Sequence, residues 1–287
     1  MQAVLFAATS GLLFGALAVA VRHGLERGAD PEAGAVVVAG TALAVSAVAA
    51  LAEHGSVRPR QLWPFLVAGV LVPGASQILF IKAVRDAGPS RTAVLIGTAP
   101  LLSVVIALTV LGEPARVALL AGTALVVAGG IALARERARP EHFRPLGALL
   151  ALACAGLFAV RDNLVRWGAR QHHPPALLAA TVSLLAAASV ALAYVVLLRR
   201  GAAGRRLPAA VPAFAPAGLA LGLAYDTLFE AFDHGRVSIV APLNATQTLW
   251  AVVFAAAFVG RSELIGRRLV LAGLLIVAGG AVIGAVR

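Results

Sequence analysis

Charged side chains inside long apolar segments are the residues of this sequence best placed to do chemistry. Arg161 and Asp162 interrupt one such segment, and Asp226 and Glu230 lie four residues apart in another. A spacing of four puts two side chains on one face of a helix. Charges within a bilayer cost about 2.5–3.5 kcal/mol each on insertion scales and usually face a cavity or one another. We therefore expect Asp226 and Glu230 to face Arg161 across a central cavity.

Such a cavity would allow proton transfer or charge pairing with a solute. Burial disfavours a charged carboxylate and a neighbouring guanidinium favours it, so a carboxylate held between the two can change protonation. That is a route for proton coupling, or for pairing with a cationic or zwitterionic solute. Arg161 keeps its charge and would be a fixed partner or an anchor for a substrate carboxylate. The alternatives are a structural ion pair between two helices and, for Asp226 to Asp233, the interfacial end of a helix.

Uncharged polar residues are weaker candidates for the same cavity. Asn244, Gln247 and Trp250 recur at intervals of three, which keeps them near one side of a helix, and Gln77 matches Tyr225 in the other half of the chain. Interhelical hydrogen bonding, worth about 0.6 kcal/mol on average, is the alternative interpretation. The candidate substrate- or proton-binding residues are Arg161, Asp162, Tyr225, Asp226, Glu230, Asn244, Gln247, Trp250, Gln77 and Lys82.

The elements that must position these residues are membrane helices. Hydrophobic residues make up 60% of the 287 and charged residues 13%, against about a quarter charged in soluble domains. A helix needs about 20 apolar residues to cross a bilayer, and the runs are too long and too rich in Ala and Leu for a membrane β-barrel. We predict an all-α polytopic membrane protein with ten transmembrane helices, the sixth continuing past Arg161 and the eighth past Asp226. The ten charge-free runs are 1–21, 33–52, 61–81, 92–112, 117–134, 145–160, 174–198, 207–225, 237–260 and 269–286.

The chain also repeats itself. Arg22 matches Arg166 at an offset of 144, and Glu113 matches Glu263 at an offset of 150. These matches predict two five-helix repeats, and because five is odd, consecutive repeats must be inverted in the membrane. Inverted repeats recur in secondary transporters, with the substrate site at the repeat interface near the midplane. The predicted repeats are 1–134 and 145–287, joined by the polar stretch 135–144.

Short motifs near helix ends give the whole chain a resemblance to the EamA-type drug/metabolite transporter superfamily. The second half departs from the first in one place, reading Gly260-Arg261-Ser262-Glu263 where the first reads Gly112-Glu113. The resemblance implies a ten-helix secondary carrier, usually an exporter of metabolites or toxic compounds. The motifs are Phe14-Gly15 followed by Arg22 and Pro31, Thr98-Ala99-Pro100 leading to Leu111-Gly112-Glu113, Gly129-Gly130, Gly260 to Glu263, and Gly279-Gly280.

No enzyme signature accompanies these features. A phosphate-binding P-loop needs a lysine, and the only one is Lys82 in the context Phe80-Ile81-Lys82-Ala83; neither HExxH nor GxSxG occurs. The net charge of +11 does not indicate nucleic acid, because the arginines lie between apolar runs. We expect a transporter without enzymatic activity, cofactor or metal, with a small-molecule substrate and the lipid bilayer as its partners. The alternatives are a non-transporting scaffold and a lipid-modifying membrane enzyme.

Orientation is predicted in two conflicting ways. Odd-numbered loops hold 16 basic residues and the even-numbered loops with the C-terminus hold 8. The positive-inside rule therefore puts both termini outside, whereas the resemblance implies the cytoplasm. Either way the termini share one face of the inner or plasma membrane. The Gly11xxxGly15 and Gly218xxxGly222 pairs allow close helix approach, which we interpret as packing within the bundle, with a homodimer as the alternative.

Overall fold

The structure, a computed structural model, is an assembly of apolar helices. It describes residues 1–53, 58–87, 92, 95–134, 145–198, 207–258 and 267–285. These residues contain no strand, and five of their helices are long and apolar enough to cross a membrane. The predicted all-α polytopic membrane protein is confirmed.

Each of the ten apolar runs contains one helix or two consecutive helices. Helix α7 continues past Arg161 and α9 past Asp226, as predicted. A π-helical turn, Val70–Ala75, joins α3 to α4, and Tyr194–Leu198 extends α8. The helices of the first half are α1 Gln2–Glu26, α2 Pro31–Ala50, α3 Trp63–Gly69, α4 Ser76–Ala87, α5 Ala99–Thr109 and α6 Val117–Ala134. Those of the second are α7 Pro145–His172, α8 Ala176–Ala193, α9 Leu207–His234, α10 Val237–Asn244, α11 Gln247–Phe258 and α12 Arg267–Ala285.

The tight connection between α1 and α2 shows how local sequence sets these boundaries. Gly28 adopts a positive φ of 73° after α1, a conformation that costs glycine little. The Asp30 carboxylate then accepts hydrogen bonds from the amides of Glu32 and Ala33 at 3.1 and 2.9 Å. Pro31 occupies the first turn of α2, where a missing N–H costs nothing. The chain therefore reverses direction within a few residues.

Helix α9 is the central helix of the bundle. It packs against α1, α2, α7 and α8, and its Tyr225, Phe229 and Phe232 are almost completely buried. A Cβ added to Gly222 would lie 2.9 Å from the carbonyl oxygen of Ala42 in α2, so the glycine permits the close approach of these helices. The Gly218xxxGly222 pair thus packs within the bundle, as we interpreted it.

Most helix packing joins the two halves of the chain. Helix α1 packs against α9 and α11, α2 against α8 and α9, and α6 against α12. Gly122 and Gly129 of α6 lie against α12, where an added Cβ would meet Ile283 and Ile276. The halves are interleaved, so side chains from both can meet in the interior.

Candidate functional site

Two membrane segments are interrupted in mid-span at matching positions. The Thr98 hydroxyl donates to the Leu95 carbonyl at 2.6 Å before α5 begins, and the Thr246 hydroxyl donates to the Leu243 carbonyl at 2.7 Å between α10 and α11. The two sites are related by an offset of 148, and α10 packs against α5. The Leu-x-x-Thr shared by the two sites was a readable signal that we did not use to pair them.

A third interruption lies between α3 and α4. Val72 is extended there, with φ −143° and ψ 121°. The Tyr225 hydroxyl on α9 donates to the Val72 carbonyl at 3.0 Å. A carbonyl released from a membrane helix needs such a partner. The contact therefore ties Tyr225, a predicted site residue, to an irregular stretch of backbone.

Arg161 and Asp162 form a buried ion pair. The Arg161 Nε lies 3.0 Å from the Asp162 Oδ1, and the two residues are only 2% and 8% exposed. Ser103 of α5 donates to the Asp162 Oδ2 at 3.0 Å. The Arg161 Cζ lies 5.7 Å from the ring centroids of both Phe158 and Tyr225, within the range of cation–π attraction. This centre joins α5, α7 and α9.

The predicted contact of Arg161 with Asp226 and Glu230 is therefore corrected, because the arginine pairs with its own neighbour. Successive helical residues point about 100° apart. On α9, Tyr225 faces Arg161, which turns Asp226 away, toward α2. Arg161 and Asp226 thus belong to two separate polar groups.

The second group is built around Asp226. Its Oδ1 accepts a hydrogen bond from the Ser46 hydroxyl of α2, which also lies 3.0 Å from the Thr181 hydroxyl of α8. Among the described residues the Asp226 Oδ2 has no hydrogen-bond partner, although the residue is only 5% exposed. Neither Ser46 nor Thr181 was predicted. The structure thus holds a buried carboxylate with one oxygen fixed and the other unpaired.

Further carboxylates lie between Asp226 and the end of α9. Glu230 is half-buried, with its Oε2 3.4 Å from the His234 Nδ1. Glu53, beyond the end of α2, accepts a hydrogen bond from the Leu178 amide at 3.1 Å. Glu230 lies one helical turn after Asp226 on α9, and therefore on the same face of that helix. Titratable groups therefore extend from the buried Asp226 to the membrane face at which α9 ends.

The other predicted residues lie elsewhere. Asn244, Gln247 and Trp250 are half-buried around the interruption between α10 and α11, and Trp250 packs against Gly15 of α1. No hydrogen bond within the described part of the chain joins them to Arg161 or Asp226. Lys82 is exposed, and the side chain of Gln77 lies outside the description. Asn244, Gln247 and Trp250 therefore line the α10–α11 interruption and are not hydrogen-bonded to either polar group in the described residues.

Two charges that we did not predict as functional meet at the corner between α9 and α10. The Glu113 carboxylate accepts hydrogen bonds from the amides of Val237 and Ser238 at 2.9 and 3.0 Å. The Arg166 Nη1 donates to the carbonyls of Phe232 and Asp233 at 2.7 and 2.8 Å. Helix ends leave such groups without partners and attract opposite charge. The side chains thus neutralise the end of one helix and the start of the next.

We predict that Glu113→Ala destabilises the protein. Two buried amides would lose their acceptors, and each unsatisfied donor costs about 1–3 kcal/mol. Glu113→Gln keeps one acceptor oxygen and should have a smaller effect. Thermal unfolding in detergent followed by circular dichroism measures both, with exposed Glu26→Gln as the control. An Ala variant that melts with the native protein would contradict this role.

Helices long and apolar enough to cross a bilayer define an integral membrane protein. Residues 1–135 match the model of the EamA-like transporter family. The match confirms the resemblance to the drug/metabolite transporter superfamily, whose EamA members are transporters.

The second half is covered by structural similarity. A protein known from a crystal structure is similar over 99% of this chain and 99% of its own, with a TM-score of 0.77 and 24% sequence identity. This likeness shows that the two chains share a fold over their whole length. No curated protein matches the sequence.

Proposed function

We propose that the protein is a secondary active transporter that exports a small organic solute across the cell membrane by alternating access. The observation that carries the proposal is the pair of matching interruptions at Thr98 and Thr246. Discontinuous helices at corresponding positions of two repeats are the usual setting of a midplane substrate site. The transporter family of the first half supports the same function.

The proposal includes two inverted repeats, 1–134 and 145–287. In these repeats α1 corresponds to α7, α2 to α8, and the α3–α4 segment to α9. The α1–α9 contact therefore corresponds to the α7–α4 contact, and the α2–α9 contact to the α8–α3 contact. All four contacts occur. The α2–α8 and α6–α12 contacts convert into themselves. This correspondence supports a pseudo-twofold axis in the membrane plane. Both termini then lie on one face, which we place in the cytoplasm.

Within this transporter, the two polar groups would have different roles. We assign solute binding to the centre formed by Arg161, Asp162 and Tyr225, which adjoins the interrupted α3–α4 segment. Proton uptake is assigned to Asp226 and Glu230, because they lead toward one membrane face. The residues around the α10–α11 interruption would line the path between the interleaved halves.

A counterflow assay tests the proposal. Purified protein in proteoliposomes is loaded with unlabelled solutes from a panel of small organic acids, amines and drug-like compounds, and entry of the labelled compound is followed. An alternating-access carrier should accumulate at least one labelled solute transiently, and empty liposomes should not. Folded protein that exchanges no solute would instead favour the non-transporting scaffold.

A further inference from the structure

We propose that the guanidinium of Arg161 binds a carboxylate on the transported solute. The inference rests on the proposed transport function and names the chemical class of the substrate. It requires an arginine that is fixed in place, retains unused donors and lies deep in the membrane. The structure supplies all three conditions.

The first condition is a fixed arginine. Asp162 lies against the Nε of Arg161 and is itself held by the Ser103 hydroxyl at its other oxygen. The Phe158 and Tyr225 rings lie on the guanidinium at 5.7 Å, and Tyr225 is anchored to the Val72 carbonyl. Contacts from several helices therefore hold the guanidinium before any solute arrives.

The second condition is unused hydrogen-bonding capacity. Arginine carries five N–H donors and no acceptor. Arg161 is 2% exposed, yet within the described part of the chain its Nη1 has no hydrogen-bond partner. Buried donors without acceptors are unfavourable and are rare in folded proteins. Asp162 approaches the Nε, so the Nη1 is left to meet a further acceptor.

The third condition is depth. Arg161 is the seventeenth residue of the 28-residue helix α7, about 24 Å along a helix of about 42 Å. An anionic group carried to this depth needs a positive partner, since water is scarce there. A carboxylate matches the geometry of a guanidinium and forms short, charge-assisted hydrogen bonds with it.

The aromatic rings around Arg161 further restrict the chemical class of the solute. Phe158 and Tyr225 lie on the guanidinium, and Phe14 packs on Tyr225 with a centroid distance of 5.9 Å. A solute bound at the Nη1 would therefore place the rest of its body near aromatic surfaces. We infer a small carboxylate with an apolar, preferably flat, body.

Binding of a matched pair of probes tests this inference. Phenylacetate and phenylacetamide have the same shape and differ in charge. Isothermal titration of the purified full chain in detergent should show saturable binding of phenylacetate, with phenylacetamide binding about 10- to 100-fold more weakly, as loss of a charge-assisted hydrogen bond predicts.

The variant for this test removes both members of the ion pair. Arg161→Gln with Asp162→Asn leaves no uncompensated charge, so the protein should remain folded, as circular dichroism will verify, and lose phenylacetate affinity by a similar factor. Arg22→Gln, on the exposed end of α1, is the matched control and should bind normally. Equal affinity for the two probes, no saturable phenylacetate binding, or full binding by the folded double variant would overturn the proposal. If counterflow of another solute persists in any of those cases, transport stands and only the carboxylate site is lost.

Discussion

Replacing Asp226 with Asn should leave normal amounts of protein in the membrane and abolish transport driven by a pH gradient. Asn keeps an acceptor oxygen for the Ser46 hydroxyl and introduces no charge, so the link between α9 and α2 should survive. It cannot take up a proton, whereas Asp226 has an unpaired oxygen for one. Proteoliposomes with an imposed pH gradient measure the effect, with membrane level and melting temperature recorded in parallel.

Glu230→Gln is the companion variant. Glu230 is half-buried and lies beside His234 near the membrane face, so its neutralisation should slow pH-driven transport without abolishing it. If both variants accumulate normally and transport with native pH dependence, Asp226 and Glu230 have no part in coupling. The residues around the α10–α11 interruption would then be the next candidates, beginning with Asn244, Gln247 and Trp250.

The second large effect is expected at Asp162. Asp162→Asn leaves the Arg161 guanidinium buried and uncompensated, and breaking one side of a buried pair costs about 3–5 kcal/mol. We expect little folded protein in the membrane. Adding Arg161→Gln to the same chain should restore much of it, because the remaining charge is gone. Size-exclusion chromatography of detergent extracts, together with melting temperatures, measures the loss and the recovery.

A natural control is the exposed pair Arg22–Glu26 on α1, whose side chains are 47% and 48% exposed. Exposed ion pairs contribute about 0–1 kcal/mol, so Glu26→Gln should have almost no effect. If Asp162→Asn is as stable as this control, Asp162 does not neutralise Arg161 in the folded protein.

The sequence was sufficient to predict the helices and how far along them the charged residues lie. Among the described residues every α-helix overlaps an apolar run that was predicted to span the bilayer, and the extension of α7 and α9 past their charges followed from the same requirement. The sequence did not show which carboxylate pairs with Arg161. The pairing depends on the rotation of α9 about its axis, and a change of one residue, from Tyr225 to Asp226, changes the neighbouring helix from α7 to α2.

The hydroxyl partners of the buried acids were harder to predict. Ser and Thr in membrane helices commonly donate to the carbonyl one turn earlier, as Ser189 does to Leu185. Nothing in the local sequence distinguishes Ser46 and Ser103, whose hydroxyls donate instead to carboxylates on other helices. Only the packing of the two halves selects them.

These contacts also make the two halves of the chain depend on each other. Asp162 and Asp226 belong to the second half, and the hydroxyls that satisfy them, Ser103 and Ser46, belong to the first. The corresponding residues Ala18 and Ile78 of the first half are apolar. A pair of identical halves would therefore lack either the acids or their proven donors. Each half therefore supplies one side of both buried contacts, and a substitution at Ser46 or Ser103 in the first half changes the surroundings of an acid in the second.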